Sequence, residues 1–589
     1  MNEKYRWNLA DIFANKSEFD ETKNKLNKLL TDIQEYKDSI CKSAENLYNC
    51  YNKYEKALEL LEKLYAYGML NYHLDMSNQE NIKLFKEVEA LEAEFGTVTS
   101  FITPELIYTD TKVIEKYLKE EPKLSKYARI IKDTLKEKEH ILSKSEEELL
   151  SNYTEVFSAP ENIFDILTNA EFEFGKLTDE ENNEVEMTES NYTVYIKSQN
   201  EKVRKQAFKL MYNKYKEFIN TISEIYLTNV KSSNINARVR KYNSALDEAV
   251  HNDDASIKVY NSLIESVHKN LKYNHEFIEL KKKLLNKKDF HMYDLYVNPF
   301  EEEKDEICFE DAKNEVLAAL SIMGKEYTKK LNEAFENSWV DVYAMPNKRS
   351  GAYSMGVYNV HPYVLLNFVN SKRDVSTIAH ELGHSMHSFY SSSNQNVIDA
   401  NYTIMVAEVA STVNEILLSE YQIKNEKDKK KKAEILYELL EMIRATFFRQ
   451  AMFAEFEKIV HEKIENKQML SAEDLNKIYY KLNQKYFGNN MIIDDEIKYE
   501  WARIPHFYTD FYVYKYSTGI SAAICIASNI LKQGETFVNR YIEMLKQGCS
   551  KKSIELLKMV DVDLESTNVY QNTADFYNEK LKQLKEMIE

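Results

Sequence analysis

The chain has 589 residues and a formal net charge of −18, from 78 basic and 96 acidic side chains. A chain of this length is longer than a domain built around one hydrophobic core, so two or more lobes are expected. The excess of acidic side chains argues against nucleic-acid binding. Five cysteines without a Cys-x-x-Cys pair argue against a disulfide framework. The sequence shows neither a signal-peptide core nor an apolar run long enough to span a bilayer. We therefore expect a cytoplasmic protein without nucleic-acid or membrane partners.

The first part of the chain reads as a series of amphipathic helices. Residues 14–160 are charged and helix-patterned, with breaks expected at prolines such as Pro160. A β-hairpin is expected at 171–185, where Asp-Glu-Glu-Asn-Asn makes a polar turn. Long helices resume near residue 200. The chain has 11 glycines and 7 prolines, a scarcity that favours a predominantly helical design.

Two short segments interrupt the helical pattern in the middle of the chain. Residues 351–360 contain two glycines, and residues 363–368 combine aromatic and β-branched side chains, which is typical of strands. A strand beside an active site can pair with an extended peptide through main-chain hydrogen bonds. A small hairpin that only supports the next helix is the alternative, and both can hold.

The next helix carries His-Glu-Leu-Gly-His at 380–384. On a helix, His380 and His384 lie one turn apart on the same face and can bind one metal ion. Glu381 stands beside them, where it can take a proton from the attacking water. Asp374 is the expected N-cap. Gly383 costs about 1 kcal/mol relative to alanine in a helix interior, which suggests a close approach of backbone or substrate at this point.

A catalytic zinc ion has three protein ligands, so one more is required. His387 is unsuitable, because seven residues of helix place it about 10 Å along the axis from His380. The better candidate is Glu408, in the middle of an almost uncharged helix at 403–419. A buried carboxylate there needs a metal or an ion-pair partner, and a core ion pair is the alternative. Glu415 is a candidate to orient a ligand histidine, although a solvated glutamate is the commoner reading.

A second chemical cluster lies at residues 503–518. It contains His506 together with four closely spaced tyrosines, Tyr508, Tyr512, Tyr514 and Tyr516. Imidazole and phenol groups can donate hydrogen bonds to the oxyanion of a tetrahedral intermediate. An aromatic stripe in the core is the alternative reading.

These motifs resemble the thimet-oligopeptidase family of zinc peptidases, and more closely its oligoendopeptidase F branch. The resemblance is carried by 379–387 and 407–415 and extends over nearly the whole chain. Further matching stretches are Trp7–Phe13, Ala237–Leu246, His361–Phe368 and Arg503–Tyr508. In that family the motif histidines and the downstream glutamate hold one zinc ion, which here implies His380, His384 and Glu408.

The resemblance also implies how the rest of the molecule serves the site. His506, with one or two of Tyr508, Tyr512 and Tyr514, is implied as the oxyanion donor set. The implied fold is predominantly α, with two helical lobes flanking a deep substrate channel and a small β-sheet next to the zinc-binding helix. The implied domains are an N-terminal helical region at 1–105, an oligoendopeptidase-F-type lobe with a β-hairpin at 106–196, and a zinc metallopeptidase catalytic domain at 197–589.

The expected function is a zinc-dependent endopeptidase that hydrolyses internal peptide bonds of short, unfolded oligopeptides, with Glu381 activating the water. Three rival hypotheses are a zinc-bearing peptide-binding module without turnover, an exopeptidase of the same zinc class, and a structural helical scaffold. The presence of Glu381, which can act as a general base, argues against a binding module without turnover. The sequence does not indicate an oligomeric state.

Overall fold

The computed structural model describes residues 3–300 and 306–588, and helices dominate it. The α-helices are, in chain order, α1 (Lys16–Gln34), α2 (Ala44–Leu74), α3 (Gln79–Thr99), α4 (Ile102–Tyr108), α5 (Thr111–Glu120), α6 (Ala128–Lys136), α7 (Lys144–Ser151), α8 (Thr154–Ile166), α9 (Glu189–Tyr195), α10 (Glu201–Glu217), α11 (Ile219–Val239), α12 (Ala245–Asn252), α13 (Ile257–Leu284), α14 (Phe309–Ala319), α15 (Lys325–Glu336), α16 (Lys372–Asn394), α17 (Val397–Ala400), α18 (Ile404–Asn425), α19 (Lys429–Ile443), α20 (Gln450–Glu465), α21 (Ala472–Phe487), α22 (Tyr514–Gln533), α23 (Glu535–Leu545), α24 (Ser553–Lys558) and α25 (Thr567–Ile588).

Short 3-10 or π turns and five strands complete the described elements. The short turns are Glu3–Tyr5, Leu9–Asp11, Ile40–Lys42, Pro122–Tyr127, Glu137–Glu139, Leu167–Glu171, Met292–Asp294, Leu320–Met323, Arg444–Arg449, Asp495–Arg503 and Pro505–Tyr508. The strands are β1 (Lys176–Thr178), β2 (Glu184–Glu186), β3 (Val340–Tyr343), β4 (Tyr353–Met355) and β5 (Tyr363–Phe368). The prediction of a predominantly α fold with little sheet is confirmed. Within the described residues, no helix has both the length and the apolar character that crossing a membrane requires.

The chain forms two compact units, and each is assembled from three separate stretches. The first unit comprises Met1–Ile141, Lys304–Tyr421 and Ile526–Asp561. The second unit comprises Leu142–Glu303, Gln422–Cys525 and Val562–Glu589. The expected boundaries after residues 105 and 196 are points along the sequence, and they stay predictions.

A three-stranded sheet in the first unit supports the helix of the His-Glu-x-x-His motif. Its strand order is β3-β5-β4, with β3 parallel and β4 antiparallel to the central strand β5. The indole of Trp7 donates a hydrogen bond to the carbonyl of Val364 at 2.8 Å, which ties the N-terminal segment to β5. Ser354 in β4 is joined to Ser385 in α16 by a hydroxyl hydrogen bond of 2.8 Å. The predicted sheet next to this helix is therefore present.

Polar side chains fix the points at which the helices begin. Asn15, for example, accepts the backbone N–H of Glu18 at the start of α1. At the start of α16 the cap is Ser371, and Asp374 lies at the third helical position, where it bonds back to the cap residue as a capping box. The prediction of Asp374 as the N-cap was wrong by three residues. Serine and aspartate can both cap a helix, and in a capping box the two side chains take part together.

The second unit contains the predicted hairpin and a buried ion-pair network. Strands β1 and β2 pair in antiparallel register around the polar turn. Pro160 lies inside α8 and does not break it, contrary to the sequence expectation.

Glu441 pairs with Lys281 at 2.6 Å and with Arg444 at 2.8 Å. Burial opposes ionisation here, yet the two cations hold the pKa of Glu441 at about 2, so this carboxyl group is ionised near pH 7.

Candidate metal centre

Helices α16 and α18 bring three possible metal ligands together in the first unit. The Nε2 atoms of His380 and His384 are 3.2 Å apart, as expected for neighbours one turn apart on a helix. Glu408 in α18 places its Oε2 atom 3.5 Å from each of these nitrogens. All three side chains are partly exposed, so water can reach this group.

The size of this triangle suits a tetrahedral zinc ion. Zinc–nitrogen and zinc–oxygen bonds of about 2.0–2.1 Å at tetrahedral angles separate two ligand atoms by about 3.3 Å. The observed edges of 3.2, 3.5 and 3.5 Å lie close to that value. Two imidazoles and one carboxylate are also a known catalytic zinc set, with the fourth position left for water. The residues therefore fit the ion that the sequence predicts.

The electrostatics of the site favour a cation. Burial opposes a charge on His380, but Glu415, Glu381 and Glu408 together raise the pKa of this imidazole to about 9. The hydrogen bond and charge of His384, together with the charge of His380, lower the pKa of Glu408 to about 2 in spite of burial. Three carboxylates thus surround two histidines, and a divalent ion would balance that excess of negative charge.

Glu415 contacts one of the candidate ligand histidines. Its Oε1 atom lies 2.5 Å from Nδ1 of His380, which leaves Nε2 of the same ring directed at the other ligands. A carboxylate on the distal ring nitrogen fixes the tautomer and the orientation of a metal-binding histidine. The sequence suggested this role for Glu415 on spacing alone, and the contact is present.

Gly383 allows α16 and α18 to pack closely. A Cβ atom at this position would lie 2.5 Å from Cα of Ser411 and 2.6 Å from the carbonyl oxygen of Ala410, both in the backbone of α18. The predicted close approach at Gly383 is therefore an approach of backbone. Asn414 adds a hydrogen bond from its side-chain amide to the carbonyl of Ala379, at 3.0 Å. Sequence analysis missed Asn414, because a buried amide leaves no periodic signal.

Glu381 has the properties of a general base. Its side chain is 6% exposed, and its Oε2 atom has no hydrogen-bond partner among the described residues. Burial raises the pKa of this carboxyl above its usual value, against the opposing influence of His380 and His384. A carboxyl with a raised pKa is a more effective proton acceptor near neutrality than an ordinary glutamate.

His387 is not among the grouped ligand atoms, in agreement with the axial-distance argument. Its ring is buried and stacks on Tyr402, with 3.6 Å between the centroids and 5° between the planes. Burial lowers the pKa of His387 to about 3, so this imidazole is neutral near pH 7. Tyr402 in turn is joined to Ser388 by a hydroxyl hydrogen bond of 2.9 Å. Tyr402 was not found from the sequence, since it stands in a short connection without a motif.

His506 and its tyrosines belong to the second unit. The Nε2 atom of His506 lies 3.3 Å from the hydroxyl of Tyr516. The ring of Tyr512 stacks on His506 at 5.8 Å and meets Tyr516 edge-on at 5.5 Å. Burial lowers the pKa of His506, so a neutral imidazole is present near pH 7. The three side chains are half-buried and form one aromatic cluster.

Tyr508 and Tyr514 are more deeply buried than Tyr512. Tyr508 stacks on Phe164 with 4.6 Å between ring centroids, and its hydroxyl has no partner among the described residues. The hydroxyl of Tyr514 donates to Asp253 at 2.8 Å, and its ring is fully buried. Both rings are therefore packed in the core, as the alternative reading of this tyrosine-rich segment expects.

A second group of possible ligands, Glu457, His461 and Asp510, lies in the second unit. Glu457 accepts the backbone N–H of Phe511 at 2.5 Å, and Nε2 of His461 lies 3.5 Å from Asp510. Phe511 has a φ of +54°, a strained value for a bulky residue. The hydrogen bond to Glu457 is therefore made at a strained backbone position, next to Tyr512 in the sequence.

The comparisons with known proteins agree with these motifs. The model of Peptidase family M3 matches residues 194–576, and the model described as Oligopeptidase F matches residues 105–174. The first match covers more than half of the chain. The chain belongs to peptidase family M3. The predicted resemblance to the oligoendopeptidase F branch is confirmed, and with it the prediction of a metalloendopeptidase.

Relatives of this family M3 chain match it over nearly its whole length. Oligopeptidase PepF of Bacillus subtilis strain 168 is 38% identical over 582 residues, which are 99% of this chain and 87% of the relative. The crystal structure of a Chlamydophila abortus peptidase superposes with a TM-score of 0.94 at 32% identity, covering 100% of this chain and 99% of that one. Oligoendopeptidase-F from Enterococcus faecium has a TM-score of 0.74 at 32% identity, covering 97% and 99%.

Proposed function

We propose that this family M3 chain is a zinc-dependent endopeptidase that hydrolyses internal bonds of short, unfolded oligopeptides. Membership of the family supports a metalloendopeptidase that acts on oligopeptides. The observation that carries the finer proposal is the triangle of His380, His384 and Glu408, with edges of 3.2, 3.5 and 3.5 Å. Next to His380 in the sequence is Glu381, whose Oε2 atom has no hydrogen-bond partner among the described residues. The cytoplasmic location stays a prediction of the sequence.

His380, His384 and Glu408 would hold the zinc ion, with Glu415 fixing the ring of His380. The ion, when bound, supplies Lewis acidity for the scissile carbonyl and lowers the pKa of the attacking water. The remaining chemistry belongs to side chains of this protein. Glu381 accepts the proton of the water as attack begins and then delivers it to the leaving amine.

His506 and a tyrosine are proposed to donate hydrogen bonds to the oxyanion of the tetrahedral intermediate. A donor of this kind is worth roughly 2.7–4 kcal/mol of transition-state stabilisation. Among the three candidates, Tyr512 has the strongest support, because it is half-buried and stacks on His506. The hydroxyl of Tyr514 is bonded to Asp253, and Tyr508 is packed against Phe164.

Internally quenched peptides with both ends blocked test this function. We expect cuts at internal bonds, loss of activity with a chelator, and recovery on addition of zinc. Release of terminal residues from unblocked peptides, without cutting of blocked ones, would instead identify an exopeptidase. Tight peptide binding without any cutting would identify a binding module. A protein that binds neither peptide nor stoichiometric metal would be a structural scaffold.

A further inference from the structure

A cavity of about 490 Å³ lies in the first unit, beside the helix that carries the metal ligands. Helices α2 and α3 line one side of it, and β4, α16 and residues 400–402 line the other. A volume of this size is within the range of pockets that bind small ligands. The chemistry described above leaves this cavity without a role.

The cavity begins one helical turn beyond the metal ligands. His380, His384 and Ser388 follow one another at intervals of four residues on α16, so they form one stripe on that helix. Ser388 lines the cavity. Four residues of helix rise about 6 Å, whereas an extended peptide rises about 3.3 Å per residue. A peptide bond held at the metal ligands would therefore have a side chain about two residues away at the mouth of the cavity.

The edge strand of the sheet supplies a path for that peptide. Strand β4 is the last strand in the order β3-β5-β4, so within the sheet it pairs on one side only. Residues Ser354, Met355 and Gly356, at the end of β4, line the cavity. An extended peptide can add to such an edge through main-chain hydrogen bonds, while neighbouring pockets select its side chains.

Two carboxyl groups line the cavity without a counter-ion among the described residues. Glu62 and Glu92 both line it, and neither forms an ion pair with another residue of the described chain. Glu62 accepts a long hydrogen bond of 3.5 Å from the side-chain amide of Asn401. Burial raises the pKa of Glu62 to about 7, with a further contribution from Glu59. A partly buried carboxylate of this kind gains stability when a ligand brings a positive charge to it.

Aromatic rings complete the lining. Tyr65, Tyr358 and Tyr402 all contribute to the walls, and tyrosine ring faces attract ammonium and guanidinium groups. Tyr402 is held in place by its stacking on His387 and by its hydrogen bond to Ser388. Carboxylates and tyrosine rings around one cavity match a long side chain with an apolar stem and a cationic end.

We propose that this cavity is a specificity subsite for a lysine or arginine side chain of the peptide substrate, about two residues from the bond that is cut. Glu62 and Glu92 pair with the cationic group, and the tyrosines contact its stem and its charge. The proposal rests on the proposed peptidase function and adds to it the class of substrate, namely oligopeptides with a basic residue near the cleaved bond.

Paired blocked peptides test this subsite. The two members of each pair are identical except at one position, which holds lysine in one and norleucine in the other, so that chain length is similar and only the charge differs. This position is moved in steps from three residues before the cleaved bond to three residues after it. For the native enzyme we expect kcat/KM to favour lysine by about tenfold or more at one position.

The variants Glu62→Gln and Glu92→Gln then identify the groups responsible. At the selective position each should reduce the ratio of lysine to norleucine by about threefold to tenfold, with the norleucine peptide cut at close to the native rate. Glu92 is exposed, so its replacement does not threaten folding. Glu94→Gln is the matched control, since Glu94 is an exposed residue of the same helix outside the cavity lining, and it should leave the ratio unchanged.

Two results would overturn the subsite while the peptidase function stands. One is equal cutting of the lysine and norleucine peptides at every position. The other is a lysine preference that persists in both glutamine variants. If the native enzyme cuts neither peptide of any pair, the proposed function itself fails and the subsite fails with it.

Discussion

The Nδ1 atom of His380 in α16 lies 2.5 Å from the Oε1 atom of Glu415 in α18. This contact fixes the histidine so that its other nitrogen points at His384 and Glu408. Replacing Glu415 with Gln keeps the shape but removes the charge that polarises the ring. We expect metal affinity to fall by about 10- to 100-fold, measured by titration against a competing chelator. Unchanged affinity in this variant, equal to that of the control Glu94→Gln, would rule out the orienting role.

Replacing Gly383 should weaken both the packing of α16 on α18 and the binding of metal. An added methyl group in Gly383→Ala would meet the backbone of Ala410 and Ser411 at 2.5–2.6 Å, so α16 and α18 must move apart. We expect a loss of about 1–3 kcal/mol in the free energy of unfolding, together with weaker metal binding. Gly96→Ala is the control, because Gly96 lies in helix α3 with open space around its Cβ position. That change should stabilise the protein by about 0.5–1 kcal/mol. Equal melting temperatures for the two variants would contradict this account.

Tyr512 and Tyr514 should differ in their effect on turnover. Tyr512→Phe removes the proposed oxyanion donor, so kcat should fall by about 100-fold or more with little change in metal content. Tyr514→Phe removes a hydroxyl that is bonded to Asp253, so this variant should lose stability rather than kcat. Stopped-time assays with one blocked peptide, together with thermal melts, separate the two. A larger loss of kcat in Tyr514→Phe would reverse the assignment.

The lysine preference of the subsite should depend on pH. Burial raises the pKa of Glu62 to about 7, so this carboxyl is mostly protonated at pH 6 and mostly ionised at pH 8. The groups around it are Glu59 and Tyr65 on its own helix, Glu92 on α3, and Tyr358 and Tyr402 across the cavity. The pKa values of the three phenols are raised by burial, so they stay neutral in this range.

The ratio of kcat/KM for lysine over norleucine peptides should therefore rise by up to about tenfold from pH 6 to pH 8. Titration of the metal site affects both peptides and cancels in the ratio. Glu62→Gln should give a flat ratio. A ratio that falls with increasing pH in the native enzyme would have the wrong sign for this carboxylate.

The grouping of the candidate metal ligands was predictable from sequence because two of them follow helical spacing. His380 and His384 are one turn apart, and Glu408 stands out as a carboxylate in an apolar helix. A close approach at Gly383, of backbone or of substrate, could also be predicted, since a glycine inside a helix is costly unless something packs against it. The spacing of apolar residues predicted that a helix forms here, but it did not predict which residue caps α16.

The rest of the site depends on tertiary contacts that leave no local pattern. Glu62 is one of many glutamates on an amphipathic helix, and nothing in its neighbourhood along the chain marks it as part of a cavity with Tyr402. Asn414 similarly has an ordinary sequence context. The two compact units are each built from three separate stretches, and contacts between distant stretches leave no local signal in the sequence.

The central claim is that Glu381 activates water at a metal held by His380, His384 and Glu408. The most direct test is Glu381→Gln, with metal content measured by elemental analysis and hydrolysis of a blocked peptide measured on the same sample. We predict one equivalent of zinc, as in the native protein, with kcat lowered by at least about 100-fold. Hydrolysis within about threefold of the native rate, with zinc fully bound, would contradict the account, because a general base worth 10²–10⁴-fold would then be absent from the mechanism.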